Sequence, residues 1–441
     1  MKALGIDLGT TSIAAVVYDA AASRVLWYQS QPHGAQLPAD HPLASLQDAV
    51  RMFDLAERMV EGGLAEHPDV AAIGVTGQMH GVVYLDAKLD PVSPLFTWQD
   101  GRAGEAAEAG ETFAARLSRL TGTPVHPGYG LATHAWLLHR GLVPQGARWI
   151  ATLPDAFAAR LAGSSRPRAH ASLAHSMGGF DLANGAFAAE GLQASGIDLG
   201  LLPEVAPDLA VLGEHRGIPV AVALGDHQAS FLGAVGAAEG GVLVNIGTGA
   251  QVSVCVRGRP ELPPGAELRP FLGDLHLATA ATLAGGAAYA LVATFFDRVA
   301  QLYGVESPRS AYEVLDEAIA AWRQSGGGPF PRVRPTFFGS RWGDNGGARV
   351  EGWTASGMTP EAFAWGVLRG VAEELHEGYE RLAPGASEAA GALAGAGNAL
   401  RVNRHLRDAV EAVFGRPVRL APHPEEAAQG AARWAAMAVT A

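Results

Sequence analysis

Short solid runs of apolar residues alternate along this chain with longer stretches whose apolar positions recur at helical spacing. The solid runs predict buried strands at Ile13 to Tyr18, Val70 to Thr76 and Val220 to Gly225. Ala44 to Glu66 has the helical period, and Glu361 to Leu382 is amphipathic, with Leu368, Val371, Leu375, Tyr379 and Leu382 along one face. Leu393 to Gly397 turns into a helix through Asn403 to Phe414, followed by a strand at Val418 to Leu420. Such alternation over mostly short connections predicts an α/β protein. Proline and glycine cluster at Arg259 to Gly265 and at Gly326 to Pro329, which read as loops. Leu277 to Phe296 carries no charge and is long enough to span a bilayer. It is mostly Ala, Gly and Thr, and Gly285-Gly286 breaks it, so it predicts a buried strand, a glycine turn and a packed helix.

One strand–turn–strand pattern occurs twice. Leu4-Gly5-Ile6-Asp7-Leu8-Gly9-Thr10-Thr11-Ser12 runs into the Ile13 strand, and Leu243-Val244-Asn245-Ile246-Gly247-Thr248-Gly249 runs into Val252 to Val256. Each copy predicts a β-hairpin. Glycine lets the backbone approach a ligand and turn N–H groups into one concavity, and threonine hydroxyls add donors, so such a turn can cradle phosphate. Gly-Thr turns are common, and one copy alone would be equally well explained as an ordinary hairpin. Two copies, the first carrying Asp7, predict a nucleotide clamped between two similar lobes. Gly9, Thr10 and Thr11 would grip it from one side and Gly247, Thr248 and Gly249 from the other. Asp7 is suited to orient a magnesium ion through its waters.

At 441 residues the chain exceeds what one hydrophobic core usually organises. Two domains are expected, 1–228 and 229–441, divided just after the Asp226 segment. A net charge of −12 argues against a nucleic-acid partner and supplies no attraction to a membrane surface. The single cysteine, Cys255, excludes an internal disulfide framework and fits a reducing cytoplasm, as buried filler rather than a nucleophile. No basic segment leading into an apolar one opens the sequence. The histidines show no metal-ligand spacing, so no zinc or iron site is expected.

Four clusters carry candidate chemistry. Thr76-Gly77-Gln78-Met79-His80-Gly81 directly follows a buried strand, where α/β sheets hold ligands. The plain alternatives are a turn with a surface histidine and, for Met79, core filler. Thr97-Trp98-Gln99-Asp100-Gly101-Arg102 offers an indole for the C–H face of a sugar and a carboxylate for its hydroxyls. Arg102 reads better as the structural partner of Asp100. Gly225-Asp226-His227-Gln228-Ala229-Ser230 puts a carboxylate at a strand tip, placed to act as base for an attacking hydroxyl. It also suits a helix cap. Gly395-Ala396-Gly397-Asn398 opens a helix and leaves room for an adenosine moiety.

With these residues in view, the chain resembles the FGGY carbohydrate kinases, a branch of the actin-like ATPase fold. The likeness runs nearly end to end, from Asp7-Leu8-Gly9-Thr10-Thr11 to Gly395-Ala396-Gly397. It implies two ribonuclease-H-like domains with the active site in a central cleft, ATP with Mg²⁺, and a small-molecule sugar as partner. Asp226 matches the family's base. Sugar contacts are implied for Gln78, Met79, His80, Trp98, Asp100 and His227, and nucleotide contacts for Thr248, Gly285, Gly286, Gly397 and Asn398. A homodimer is left open. Gln78-Met79-His80-Gly81 resembles the ketose kinases rather than the glycerol kinases, which have an Arg-Glu pair there. The Thr97–Arg102 segment, the run Gly128-Tyr129-Gly130-Leu131-Ala132-Thr133 and the Val222–Ser230 segment look more like the sedoheptulokinase branch. Xylulokinases usually carry a lysine where Thr133 falls. The implied reaction is phosphorylation of the terminal primary hydroxyl of a ketose, sedoheptulose first and a pentulose as alternative.

Two segments depart from the family pattern. Ala169 to His175 lacks the usual acid, and His175 is its candidate substitute; Asn398 and Asn403 stand where many members have alanine and tryptophan. Actin-like chaperone and filament ATPases share the opening hairpin, but they have no need of Gly77–Gly81 or Gly225–Ser230.

Overall fold

The computed structural model describes residues 1–108, 110–341, 347–383 and 393–440. The chain forms two compact units. Unit 1 comprises Met1–Gly236, Pro270–Gly273 and Glu425–Ala441; unit 2 comprises Ala237–Arg269 and Asp274–Pro424. The units are interleaved in sequence. A cut at residue 228 leaves the last helix, Glu426–Ala438, with the second half of the chain, whereas it packs in unit 1.

The sheet of unit 1 runs in the order Arg24–Pro32, Ser12–Asp19, Lys2–Leu8, Val70–Gly77 and Ile218–Ala221, with Val211–His215 beyond the last. The first three strands are antiparallel neighbours, and Val70–Gly77 then joins parallel to Lys2–Leu8. Unit 2 repeats this topology with Leu275–Thr282, Ala250–Arg257, Val242–Ile246, Leu393–Ala396 and Val418–Leu420. Its last two strands also pair parallel. Each unit has its own core. Leu4, Ile6, Ile73, Val75, Met52 and Phe53 pack in one. Val244, Val252, Val292, Leu368, Val371 and Leu375 pack in the other, which fills the face predicted for the Pro360–Leu382 helix.

Two expectations shift locally. The helix predicted from Ala44 begins at Ala49, because Leu46–Gln47 pairs as a short strand and Asp48 caps the helix by accepting from Arg51 N at 3.0 Å. The predicted strand Val220–Gly225 is broken into Ile218–Ala221 and Leu224–Gly225. At the break Val222 N donates to Ala210 O (2.7 Å) and Val222 O accepts from Trp434 Nε1 (2.9 Å), so both groups leave the ladder. The uncharged stretch around Gly285 is a strand, Leu275–Thr282, and a helix, Gly286–Leu302. No described helix is long and apolar enough to cross a membrane.

The last helix explains its own placement. A Cβ on Gly5 would lie 2.0 Å from Ala428 O, on Gly74 1.9 Å from Ala431 O, and on Gly233 2.1 Å from Glu426 O. A Cβ on Gly430 would lie 1.8 Å from Ala229 O. Two strands and the helix Asp226–Ala234 therefore meet the last helix backbone against backbone, an approach that only glycine permits.

Candidate functional site

In unit 1, register alone gathers the candidate residues. Asp7 pairs with Thr76 and Leu8 with Gly77, while Leu224 and Gly225 pair with Thr76 and Gly77 from the other side. The three parallel strand ends are level, so Asp7, Gln78 and Asp226 emerge along one sheet edge. Thr76 Oγ1 donates to Leu224 O at 2.7 Å and ties the middle strand to the end that leads into Asp226.

Asp226 is the first residue of the helix Asp226–Ala234, whose N-cap is Gly225. The cap reading for Asp226 is thereby corrected: the residue lies inside the helix, and its Oδ1 accepts from the adjacent His227 N at 2.7 Å. His227 is buried in the first turn beside it. Gly225 N is held by Ser172 Oγ at 3.0 Å, which fixes the start of this helix. Asp7 has a buried Oδ1 with no hydrogen-bond partner. Its carboxyl is pushed up to about 8, chiefly by burial, then by the nearby Asp226 and Glu425 carboxylates. Among the described residues no three acids or histidines are placed to hold a metal directly, so the orphaned Asp7 oxygen, with two further carboxylates nearby, suits a cation held through its waters.

His80 is left-handed, with φ +77°, a strained conformation for a residue with a side chain. Its ring stacks on Tyr129 with centroids 4.4 Å apart, and Nδ1 lies 3.0 Å from Ser176 O. Ser176 belongs to the helix Ala171–Met177, in which the neighbouring His175 meets Phe180 edge-on. Gln78 is buried and donates through Nε2 to Gln47 Oε1 (2.8 Å), leaving its Oε1 without a partner. Met79 lies within the main core of unit 1, so the core-filler reading describes its packing.

Trp98 is 45% exposed, and its Nε1 donates to Thr10 Oγ1 at 3.0 Å, joining the candidate sugar wall to the first hairpin. Asp100 does not face a ligand. It is 0% exposed and bound by Arg102 at 2.7 and 2.9 Å and by Ser45 N at 3.3 Å. The Arg102 guanidinium in turn lies 4.6 Å from the centre of the Trp136 ring. A direct sugar contact from Asp100 is corrected to a structural ion pair, because its oxygens are already spent. Gly128 lies so near that a Cβ there would be 2.0 Å from Trp98 O.

In unit 2 the second hairpin turn presents an exposed Thr248, as the first presents an exposed Thr11. Gly286 N donates to Gly247 O (2.8 Å) and Ala287 N to Thr248 O (3.0 Å), which seats the start of the Gly286–Leu302 helix on the turn. A Cβ on Gly285 would lie 2.3 Å from Gly249 O, and one on Gly397 (φ +89°) 2.4 Å from Ile246 O. These glycines serve close backbone packing around the turn. A Cβ on Gly247 would meet nothing within 4 Å, the open side a phosphate needs. Asn398 opens the helix Asn398–Val402, and Asn403 caps the next one, its Oδ1 accepting from Leu406 N at 2.9 Å. Cys255 is buried and its thiol is pushed up to about 11 by burial, in keeping with filler.

Sequence reasoning missed Glu425, His33 and Gln47. Glu425 meets Asp7 only through the last helix, and the other two sit in no motif.

Comparison with known proteins gives these contacts a setting. Residues 2–233 match the FGGY family of carbohydrate kinases, N-terminal domain. The chain is 28% identical to the sedoheptulokinase of Homo sapiens over 97% of its own length and 96% of that protein's. It is 30% identical to the xylulose kinase of Streptomyces rubiginosus over 59% of this chain and 56% of the relative. The solved xylulose kinase of Rhodospirillum rubrum superposes with a TM-score of 0.82 at 23% identity, covering 99% of this chain and 90% of that one.

Proposed function

The chain belongs to the FGGY family of carbohydrate kinases, with the actin-like ATPase fold, and from that premise we propose that it phosphorylates the terminal primary hydroxyl of a ketose, sedoheptulose before any pentulose. The observation that carries the reading is the level alignment of Asp226, Asp7 and the first hairpin on one sheet edge, with His80 and Trp98 beside them. The sedoheptulose preference is supported by the near full-length likeness to sedoheptulokinase and by the uncharged Thr133, whose buried Oγ1 has no partner.

In this reading unit 1 holds the sugar and the first phosphate hairpin, and unit 2 supplies the second hairpin and the adenosine contacts. Asp226 accepts the hydroxyl proton as the oxygen attacks in line. Thr10, Thr11 and Thr248 offer hydroxyl and N–H donors to phosphate oxygens. His80, held by Tyr129 and Ser176, and the Trp98 ring orient the ketose. Mg²⁺ held through water beside Asp7 would supply the positive charge that offsets the phosphates. Gln78 and His227 support the sugar from their buried positions, Met79 and Asp100 shape the wall behind it, and Gly285, Gly286, Gly397 and Asn398 border the nucleotide. The ATP requirement and the single cysteine support a cytoplasmic location in this reading.

The test is ADP release with sedoheptulose, xylulose, ribulose, fructose and glycerol as acceptors. Sedoheptulose is expected to lead in kcat/KM by about tenfold, a difference of ~1.4 kcal/mol in transition-state binding. If xylulose or ribulose leads by that margin, the heptulose assignment falls and the pentulose reading replaces it.

A further inference from the structure

The turn of the first hairpin is held by its carbonyl oxygens. Leu8 O accepts from Gln78 N at 2.9 Å, and Gly9 O from Gln78 Nε2 at 3.4 Å. Thr10 O takes two donors, His33 Nε2 at 2.9 Å and Gln47 Nε2 at 2.8 Å, and Thr11 O accepts from His33 N at 3.3 Å. Both donor side chains are almost wholly buried, His33 at 4% and Gln47 at 1% exposure.

None of the described peptide bonds is cis. In a trans peptide the C=O of one residue and the N–H of the next point in opposite directions. Carbonyls of Gly9 and Thr10 drawn toward the body of unit 1 therefore turn the N–H groups of Thr10 and Thr11 the other way, to the side where Thr11 is exposed. The His33 tautomer is fixed by its second contact. Nδ1 accepts from Ala35 N at 2.9 Å, so the ring proton sits on Nε2 and is donated to Thr10 O. Burial holds the imidazole below its usual range, which keeps this neutral form.

A surface turn can leave its carbonyls to water. Here two polar side chains are desolvated to grip a single oxygen, an arrangement whose return is rigidity at that peptide. We infer that His33 and Gln47 are positioning residues for nucleotide, aiming the Thr10 and Thr11 N–H groups at phosphate oxygens by holding the Thr10 carbonyl between them. This rests on the reading of the first hairpin as a phosphate cradle.

His33→Phe keeps a ring and removes the donor, whereas His33→Gln restores an amide N–H. ADP binding to the sugar-free protein by calorimetry, sugar binding without nucleotide, and steady-state KM for ATP are measured for both. His33→Phe should weaken ADP about tenfold and raise KM for ATP, with sugar affinity within twofold of the parent and His33→Gln recovering most of the loss. Should His33→Phe not fold, Gln47→Met carries the same ADP measurement. Undiminished ADP binding in a folded variant overturns the inference, as does an equal loss of ADP and sugar with no recovery in His33→Gln. Thr10→Val separates the premise. If it weakens ADP while His33→Phe does not, only the positioning role fails; if neither does, the cradle reading fails as well.

Discussion

Asp226 begins its helix rather than capping it, and stands just beyond the strand end that is level with Asp7 and the first hairpin. That placement suits it to take a proton from a bound hydroxyl. Asp226→Asn should lower turnover by roughly two to four decades, the range of a lost general base, while ADP binding persists. Near-normal turnover at saturating sugar would exclude the base role. A different acid tests the electrostatics of unit 2. Glu374 is 5% exposed, and its Oε2 has no hydrogen-bond partner. Its carboxyl is pushed up from 4.5 to about 7, chiefly by burial, with Arg334 opposing and Glu377 adding. Between those two pH values the folded protein keeps a proton that the unfolded chain has released. Stability therefore declines as pH rises through this window and levels off above about 7. Glu374→Gln stays neutral throughout. It should melt like the parent near pH 4.5 and be more stable at pH 8 by roughly 1–3 kcal/mol. Equal melting at pH 8 would mean that the buried charge costs nothing.

Elements meet in this protein with unusual closeness where the last helix lies against Gly5, Gly74, Gly233 and its own Gly430. The residue facing Gly430 is Ala229, in the helix that starts with Asp226. Gly430→Ala would place a methyl 1.8 Å from Ala229 O, where only backbone movement can relieve it. Overpacking of this kind costs about 1–3 kcal/mol, and here the strain falls on the helix that carries the proposed base. A lower melting temperature together with a lower kcat is expected; an unchanged melt would show that the helices have room to separate. Strand and helix positions were largely readable from apolar spacing, because solid runs and helical periods are local signals. The break at Val222 was not, since its cause is an indole 212 residues further along the chain. The same holds for Glu425 beside Asp7, and for His33 and Gln47 beneath the first turn. Their partners are fixed by folding, and no spacing in the sequence announces them.

At the scale of the whole molecule, one strand order serves twice, each time with a Gly-Thr turn between its two oldest neighbours in sequence. This duplication is why a nine-residue phrase and a seven-residue one could be read as a pair, while the fold family was read from a likeness that runs nearly end to end. Interleaving was not legible, because the glycines that admit the last helix look like any others until a backbone lies on them. It also imposes an order of manufacture. A ribosome completes Met1–Gly236 and must then build the whole of unit 2 before the helix Glu426–Ala438 exists. At ordinary elongation speeds that delay is roughly 10–40 s. Through it the nascent first unit carries a bare glycine-lined face and an unsupported Asp226 helix. The helix that begins with Asp226 thus gains its packing partner only after synthesis has passed through the second unit, and a chain released before Glu426 never acquires it.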